Sequence, residues 1–110
     1  MQPLRFEIKG REPIPYEVVA SRSGNNLTMT CTCQAATFNK HCKHRLNLLT
    51  GVVSDLVSGN ETDVEKLAIM VQGTDVEAAL SEYFAAEQAA EAAQKHLKGV
   101  KHAIARKLAD

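Results

Sequence analysis

Three cysteines and one histidine lie within fourteen residues, as Cys31-x-Cys33 and then Cys42-x-His44. Residues two apart on a strand point to the same side, so Cys31 and Cys33 can share one ion if they end a strand. Residues two apart on a helix point about 200° apart, so Cys42 must lie at or before the first helical turn. Zinc prefers four tetrahedral sulfur and nitrogen ligands from two short clusters. The spacing therefore predicts one Zn²⁺ bound by Cys31, Cys33, Cys42 and His44.

Three other interpretations of these residues stay open. The cysteines could be unrelated and buried, or Cys31 and Cys33 could form a redox pair, although their disulfide would close a strained small ring and leave His44 unexplained. An odd number of cysteines argues against a secreted disulfide framework. His41 could replace His44 as the fourth ligand, but the Cys-x-His spacing favours His44.

The predicted zinc is structural. Four protein ligands leave no open position for water or substrate. Zinc binding contributes roughly 10–16 kcal/mol in finger peptides, whereas a whole domain is stable by only about 5–15 kcal/mol. The sequence has no paired carboxylates, nucleophile–base signature or phosphate-binding glycine loop. We therefore expect the metal to decide whether this module folds, and we expect no enzymatic activity and no small-molecule substrate.

The segment before the cysteines alternates apolar and polar residues, which predicts strands. Turn signals at Gly10–Pro13 and Ser23–Asn26 separate three such runs. We therefore expect a three-stranded antiparallel meander over residues 4–33, ending in the first ligand pair. The alternating residues are Phe6, Ile8, Ile14, Tyr16, Val18, Leu27, Met29 and Cys31.

The segment Leu27–Cys33, followed by His41–Leu46, resembles a SWIM-type zinc finger, whose pattern is C-x-C, a variable gap, and C-x-H leading into an apolar helix. The resemblance covers roughly residues 14–50 and implies a β-hairpin packed on a helix around one zinc bound by the four residues above. SWIM modules occur beside transposases, chromatin-remodelling-type ATPases and ubiquitin-related proteins, and are generally proposed to bind DNA or proteins. Gln34 departs from the pattern, since many members carry Pro there. The chain is identified as a small bacterial-style stand-alone member with a C-terminal helical extension.

The sequence after Cys42 is helical in pattern. Leu46, Leu49 and Val53 have helical spacing with a stop at Gly51, and Val53–Val57 is expected to form another helical turn. The string Thr-Asp-Val-Glu occurs at 62–65 and again at 74–77. Each copy fits a capping box, in which the Thr hydroxyl accepts a backbone N–H and the Glu reaches back to the Thr N–H. The expected fold is α+β, with a zinc-binding module at 1–58 and a helical extension at 59–110 containing helices at about 62–72 and 75–109.

The last predicted helix would be roughly 50 Å long if it is continuous. Gly99 is its weak point, because glycine costs about 1 kcal/mol relative to alanine. Two arrangements stay open: an antiparallel homodimer through this helix, or a break near Gly99 that folds residues 100–109 back. Its apolar residues fall on a 4-3 spacing that Glu87, Gln94 and Lys101 interrupt, and they are Val76, Leu80, Tyr83, Ala90, Leu97, Ile104 and Leu108.

Charge is distributed in blocks although the formal net charge is zero. Residues 1–45 are basic, 46–94 acidic and 95–110 basic. Lys40, Lys43 and Arg45 surround the predicted ligands and are candidate nucleic-acid contacts. We expect a protein–protein adaptor or scaffold, with DNA binding through this basic face as the alternative. No apolar run suits a membrane span and no signal core precedes Arg5, so the expected compartment is the cytoplasm and no membrane partner is expected.

Overall fold

A computed structural model describes residues 2–110. Its architecture is α+β, as predicted: a three-stranded antiparallel sheet in the order β1-β2-β3, followed by helices. The chain divides into two compact units, the first ending at Glu77 and the second running from Ala78 to Asp110. The elements are β1 (Leu4–Ile8), β2 (Tyr16–Ser23), β3 (Asn26–Cys31), α1 (Gln34–Thr37), α2 (Lys43–Leu49), α3 (Glu61–Val71) and α4 (Asp75–Leu108).

The sheet register places one cysteine at the edge of the hydrophobic core. Val18 of the central strand lies opposite Phe6 on one side and Cys31 on the other. Successive residues of a strand point to opposite faces, so the alternating apolar residues share one buried face. Phe6 and Val18 are fully buried there, together with Ala20. The first ligand pair therefore begins at the edge of this buried face, at Cys31.

The segment after α2 contains a single hydrogen-bonded turn, in which the Leu56 N–H donates to the Val53 carbonyl at 3.1 Å, but it does not form the helical turn predicted at Val53–Val57. Leu56 forms an isolated bridge with Ile8. The Val57 N–H donates to the Glu7 carbonyl at 2.9 Å, and the Lys9 N–H donates to the Asp55 carbonyl at 2.8 Å. β1 is an edge strand with unpaired backbone groups, and pairing with them outweighs the weak helical pattern of this short segment.

The first predicted capping box is also wrong. α3 begins at Glu61, after the N-cap residue Asn60, and Thr62 lies exposed inside its first turn. The Asn60 carbonyl accepts the Asp63 N–H at 2.9 Å, while its side-chain amide donates to the Asp63 carboxylate at 3.0 Å and to the Arg5 carbonyl at 2.8 Å. Asn60 starts the helix earlier because it also satisfies the carbonyl of Arg5 in β1.

The second predicted box is only partly formed: its Glu77 reaches back one residue further than expected, and its Thr74 hydroxyl does not accept a helix N–H. The Glu77 carboxylate accepts from the Gly73 N–H at 3.2 Å, and the Thr74 hydroxyl donates to the Val71 carbonyl at 2.6 Å. Gly73 has φ +79°, which suits the sharp turn between α3 and α4. Asp75 accepts from the Leu27 N–H at 3.1 Å, so the start of α4 is tied to β3.

Arg22 of β2 connects the sheet to the end of α3. Its guanidinium donates to the carbonyls of Gly24 at 2.7 Å, Met70 at 3.1 Å and Gln72 at 2.7 Å. The last carbonyls of a helix have no partners within the helix, so a cation placed there satisfies them. α3 packs its buried face, which includes Leu67 and Met70, into the same core.

α4 is continuous from Asp75 to Leu108, and the predicted alternative with a break near Gly99 is wrong. A side-chain Cβ at Gly99 would contact nothing within 4 Å, so no neighbouring group there requires a bend. No residue of α4 is buried.

No described helix is both long enough and apolar enough to cross a membrane.

Candidate metal centre

The four predicted ligand side chains converge at one point in the structure. Their sulfur and nitrogen atoms all lie within 4.8 Å of one another. The Sγ atoms of Cys33 and Cys42 are 3.4 Å apart, and His44 Nδ1 lies 3.6 Å from Cys42 Sγ and 3.8 Å from Cys31 Sγ. A tetrahedral zinc with its usual bond lengths would set about 3.8 Å between two sulfurs and about 3.6 Å between sulfur and nitrogen. These three separations lie within about 0.4 Å of those in such a site, and no pair of the four ligand atoms is more than 4.8 Å apart.

Backbone geometry places each ligand pair. The pairing of β2 and β3 extends past Cys31, because the Thr32 N–H donates to the Glu17 carbonyl at 3.1 Å and its hydroxyl accepts the Glu17 N–H at 3.0 Å. Cys31 and Cys33 therefore both face inward, with 7% and 5% of their surface exposed. Residues two apart share a side only while the backbone stays extended.

The second pair uses the start of α2. Cys42 is its N-cap residue and has extended dihedrals, φ −126° and ψ 117°. His44 follows inside the first helical turn, so its imidazole reaches back toward the Cys42 thiol. The extended cap avoids the 200° separation that a regular helix would impose.

The loop between the pairs contains a feature that the sequence interpretation missed. Residues Gln34–Thr37 form the single turn α1, with Cys33 as its N-cap. Asn39 then takes a positive φ of 56°, and the Lys40 N–H donates to the Ala35 carbonyl at 2.9 Å. This turn reverses the chain within eight residues and returns it to Cys42. The helix-favouring Ala35 and Ala36 were its only sequence signal.

The environment makes the three thiols unequal. Burial raises the pKa of Cys31 to about 12, with the neighbouring thiols adding to the effect. Burial also acts to raise the Cys42 pKa, but the backbone N–H of Arg45 and the thiols of Cys33 and Cys31 outweigh it and lower the pKa. Helix N-termini commonly stabilise thiolate in this way. These shifts belong to the side chains alone, and a bound divalent cation would favour thiolate at every position.

Burial and the nearby Lys43 charge lower the pKa of His44, which favours its neutral imidazole. Neutral imidazole is the form that binds metals. The nitrogen that faces the thiols is Nδ1.

The imidazole of His44 is packed against an aromatic ring. The ring centres of Tyr16 and His44 are 4.9 Å apart and tilted by 43°. The Tyr16 ring also lies against Gly10, where an added Cβ would approach a ring carbon within 2.1 Å. Gly10 thus leaves room for a ring that restricts the orientation of His44. Neither Gly10 nor Tyr16 carries a local sequence signal for this role, because their proximity depends on the β1–β2 pairing.

The other residues that the sequence singled out near the ligands have different environments in the structure. His41 is exposed and lies outside the cluster. Lys40 and Lys43 are exposed, but the guanidinium of Arg45 donates to the carbonyls of Met29 at 3.2 Å and Lys40 at 2.9 Å. Arg45 therefore ties α2 to β3 and to the loop before it.

Lys43 instead belongs to a second group of cations. A groove of about 400 Å³ lies beside His44. Three bases and one acid line it, and the Tyr16 ring lies against both Gly10 and His44. The lining residues are Lys9, Gly10, Arg11, Tyr16, Lys43, His44 and Asp55.

The donor set and its distances are compatible with a zinc finger. Comparisons with models of protein families, with curated proteins and with solved structures find no match to this chain. The zinc-finger interpretation therefore depends on the four side chains and their geometry.

Proposed function

We propose that this chain is a SWIM-type zinc-finger protein that binds one structural Zn²⁺ through Cys31, Cys33, Cys42 and His44 and acts as a protein–protein adaptor. The observation that carries the proposal is the convergence of three thiols and His44 Nδ1 within 4.8 Å, at separations close to those of a tetrahedral zinc site. Three cysteines and one histidine form a common structural zinc set, and the soft thiolates favour zinc over magnesium or calcium.

The role assigned to zinc is to join elements that share little other surface. The ligands come from the end of β3, the start of α1 and the start of α2. α1 has no buried residue and α2 has only Leu48. Elements this short cannot hold their positions by apolar burial alone, and a metal is a common substitute. Four protein ligands would leave no coordination position for a substrate, so we assign the site no catalytic role.

The adaptor role is supported by the second unit. α4 carries exposed large apolar side chains, among them Leu97, Val100 and Ile104. Apolar side chains in a row on an exposed helix are typical of a binding surface. The proposed protein therefore has a zinc-stabilised first unit and a helix that binds a protein partner.

Native mass spectrometry and elemental analysis test the zinc proposal. The purified chain should contain one zinc per molecule, and a Co²⁺-substituted sample should show the visible absorption of tetrahedral thiolate coordination. His44→Ala should remove the metal, while the matched control His41→Ala should retain it. Folded protein without metal, or loss of zinc on the His41 change alone, would contradict the ligand assignment.

Nucleic-acid binding is the second candidate, and the groove beside His44 favours it. Its lining includes three bases, Lys9, Arg11 and Lys43, and one acid, Asp55. Phosphate contacts from Lys and Arg dominate the affinity of such sites and make it salt-dependent. The contact set proposed here differs from Lys40, Lys43 and Arg45, since Arg45 is hydrogen-bonded to two carbonyls.

Binding of labelled DNA at several salt concentrations separates the two candidates. If the groove binds phosphate, Lys9→Gln, Arg11→Gln and Lys43→Gln together should abolish binding and leave zinc content unchanged. The matched control neutralises Lys95, Lys98 and Lys101 on α4. Absence of DNA binding at low salt would remove this candidate and leave the adaptor role in place.

A further inference from the structure

A seven-residue repeat runs along α4 within the second unit. Apolar residues recur at alternating spacings of four and three, which is the pattern of a seam between two helices. Every residue from Ser81 to His102 is exposed, and the large seam residues Leu97, Val100 and Ile104 are 47%, 42% and 52% exposed. The seam consists of Ala79, Tyr83, Ala86, Ala90, Ala93, Leu97, Val100 and Ile104.

The seam is divided by side-chain size. Ala86, Ala90 and Ala93 form its middle, and the three large residues form its C-terminal part. The distance between packed helices depends on the side chains at the contact. A parallel pair would place alanine on alanine and leucine on leucine, which demands two different separations along one interface. An antiparallel pair avoids this conflict, because large residues then meet small ones.

We propose that the partner of this seam is a second copy of the chain, bound antiparallel with the two-fold axis beside residue 95. This inference rests on the proposed interaction role of α4. Residues equally distant from position 95 then face each other. Leu97 packs on the partner's Ala93, Val100 on the partner's Ala90, and Ile104 on the partner's Ala86. Gly99 lies on the opposite side of the helix and does not enter the interface.

The charges beside the seam fit the same register. Glu87 and Lys101 flank it on one side, by their positions on a helix of 3.6 residues per turn, whereas Lys107 follows Ile104 by three residues and so occupies the next seam position. In an antiparallel pair like flanks meet, so Glu87 approaches the partner's Lys101, while Lys107 faces the partner's Tyr83 and lies next to the partner's Glu82. A parallel pair would instead align the acidic half with itself, which is unfavourable.

Tyr83 holds one of these charges in position. Its hydroxyl donates to the Glu87 carboxylate at 2.8 Å, and this bond keeps the carboxylate beside the seam. Side chains four apart on a helix are neighbours, so the bond is compatible with an unbroken α4.

Sedimentation equilibrium at tens of micromolar protein tests the partner. The expected mass is twice the chain mass of 12.0 kDa. Leu97→Asp plus Ile104→Asp should give a monomer, whereas the matched control Ala92→Asp plus His102→Asp adds the same charges off the seam and should stay dimeric. A monomer of the unmodified chain would overturn the inference. Zinc content measured on each sample distinguishes this failure from a failure of the zinc proposal, which predicts one zinc per chain in all of them.

Carbodiimide cross-linking of mixed isotope-labelled and unlabelled chains tests the register. Cross-links between labelled and unlabelled chains should join Glu82 to Lys107 and Glu87 to Lys101. Glu87→Lys should weaken the dimer, and adding Lys101→Glu should restore it. A dimer that lacks these mixed cross-links would overturn the antiparallel register.

Discussion

The two units of this protein are stabilised by different means. Among the described residues, the first unit buries ten apolar side chains from Phe6 to Val71 as well as three cysteines, and it brings four metal-binding groups together. The second unit is the exposed part of one helix and depends on backbone hydrogen bonds and helix-favouring residues. The stability of the first unit depends on long-range contacts, so substitution of a single side chain should change it strongly. The stability of the second unit depends on local helix propensity, so single substitutions there should have small effects. The following predictions test this difference, beginning with the largest expected effect.

Loss of a zinc ligand should have the largest effect, and it should be confined to the first unit. In Cys33→Ala or His44→Ala, residues 14–50 should lose amide-exchange protection, because zinc contributes roughly 10–16 kcal/mol and a domain is stable by only about 5–15 kcal/mol. Residues 85–105 should keep their exchange rates, since no side chain of α4 is buried. Equal loss of amide-exchange protection in both units would contradict the prediction that zinc stabilises the first unit alone.

Arg22→Met should destabilise the first unit by about 1–3 kcal/mol, because carbonyls left without a donor lose a hydrogen bond. The affected carbonyls belong to Gly24, Met70 and Gln72. Urea unfolding followed by circular dichroism measures the change. The control Arg11→Met removes an exposed arginine and should change stability by less than about 0.5 kcal/mol. Similar losses in both variants would mean that the three hydrogen bonds contribute nothing specific.

Gly10→Ala should weaken zinc binding about tenfold, at the low end for groups that orient a metal ligand. The new methyl group would displace the Tyr16 ring, which lies against His44. Competition with a chromophoric chelator measures the affinity. Tyr16→Phe keeps the ring and should keep the affinity. If Gly10→Ala binds zinc as tightly as the unmodified chain, packing of Tyr16 does not orient His44.

Gly99→Ala should have the smallest effect and should act on the second unit alone. It should stabilise α4 locally by about 1 kcal/mol, because alanine is the better helix former and nothing lies within 4 Å of the added methyl group. Slower amide exchange at residues 95–103, with unchanged exchange in the first unit, is the expected result. The control Gly73→Ala should destabilise the protein, since Gly73 has φ +79°.

Much of the fold could be predicted because its signals are local. Alternation predicts three strands, and they occur as β1, β2 and β3 in the expected meander. Ala, Glu, Gln and Lys predict the helix α4, and the structure confirms that it is long. The errors concern segments whose partners are far away in sequence. Leu56 pairs with Ile8, and Asn60 bonds to the Arg5 carbonyl. No pattern within 53–62 reveals β1 as the partner.

The same distinction between local signals and long-range contacts applies to the candidate metal site. The sequence by itself determined the two ligand pairs, because extended backbone turns Cys31 and Cys33 to one side and a helix start brings His44 back toward Cys42. Only the tertiary structure decided that Nδ1 of His44 faces the thiols and that the Tyr16 ring packs against His44 and Gly10. It also decided that Arg45 is hydrogen-bonded to two carbonyls. Lys43 instead lines a groove together with Lys9 and Arg11. Periodicity fixes which side of its own element a residue faces. The neighbour it meets there depends on strand pairing and chain reversal, which join residues that are distant in sequence.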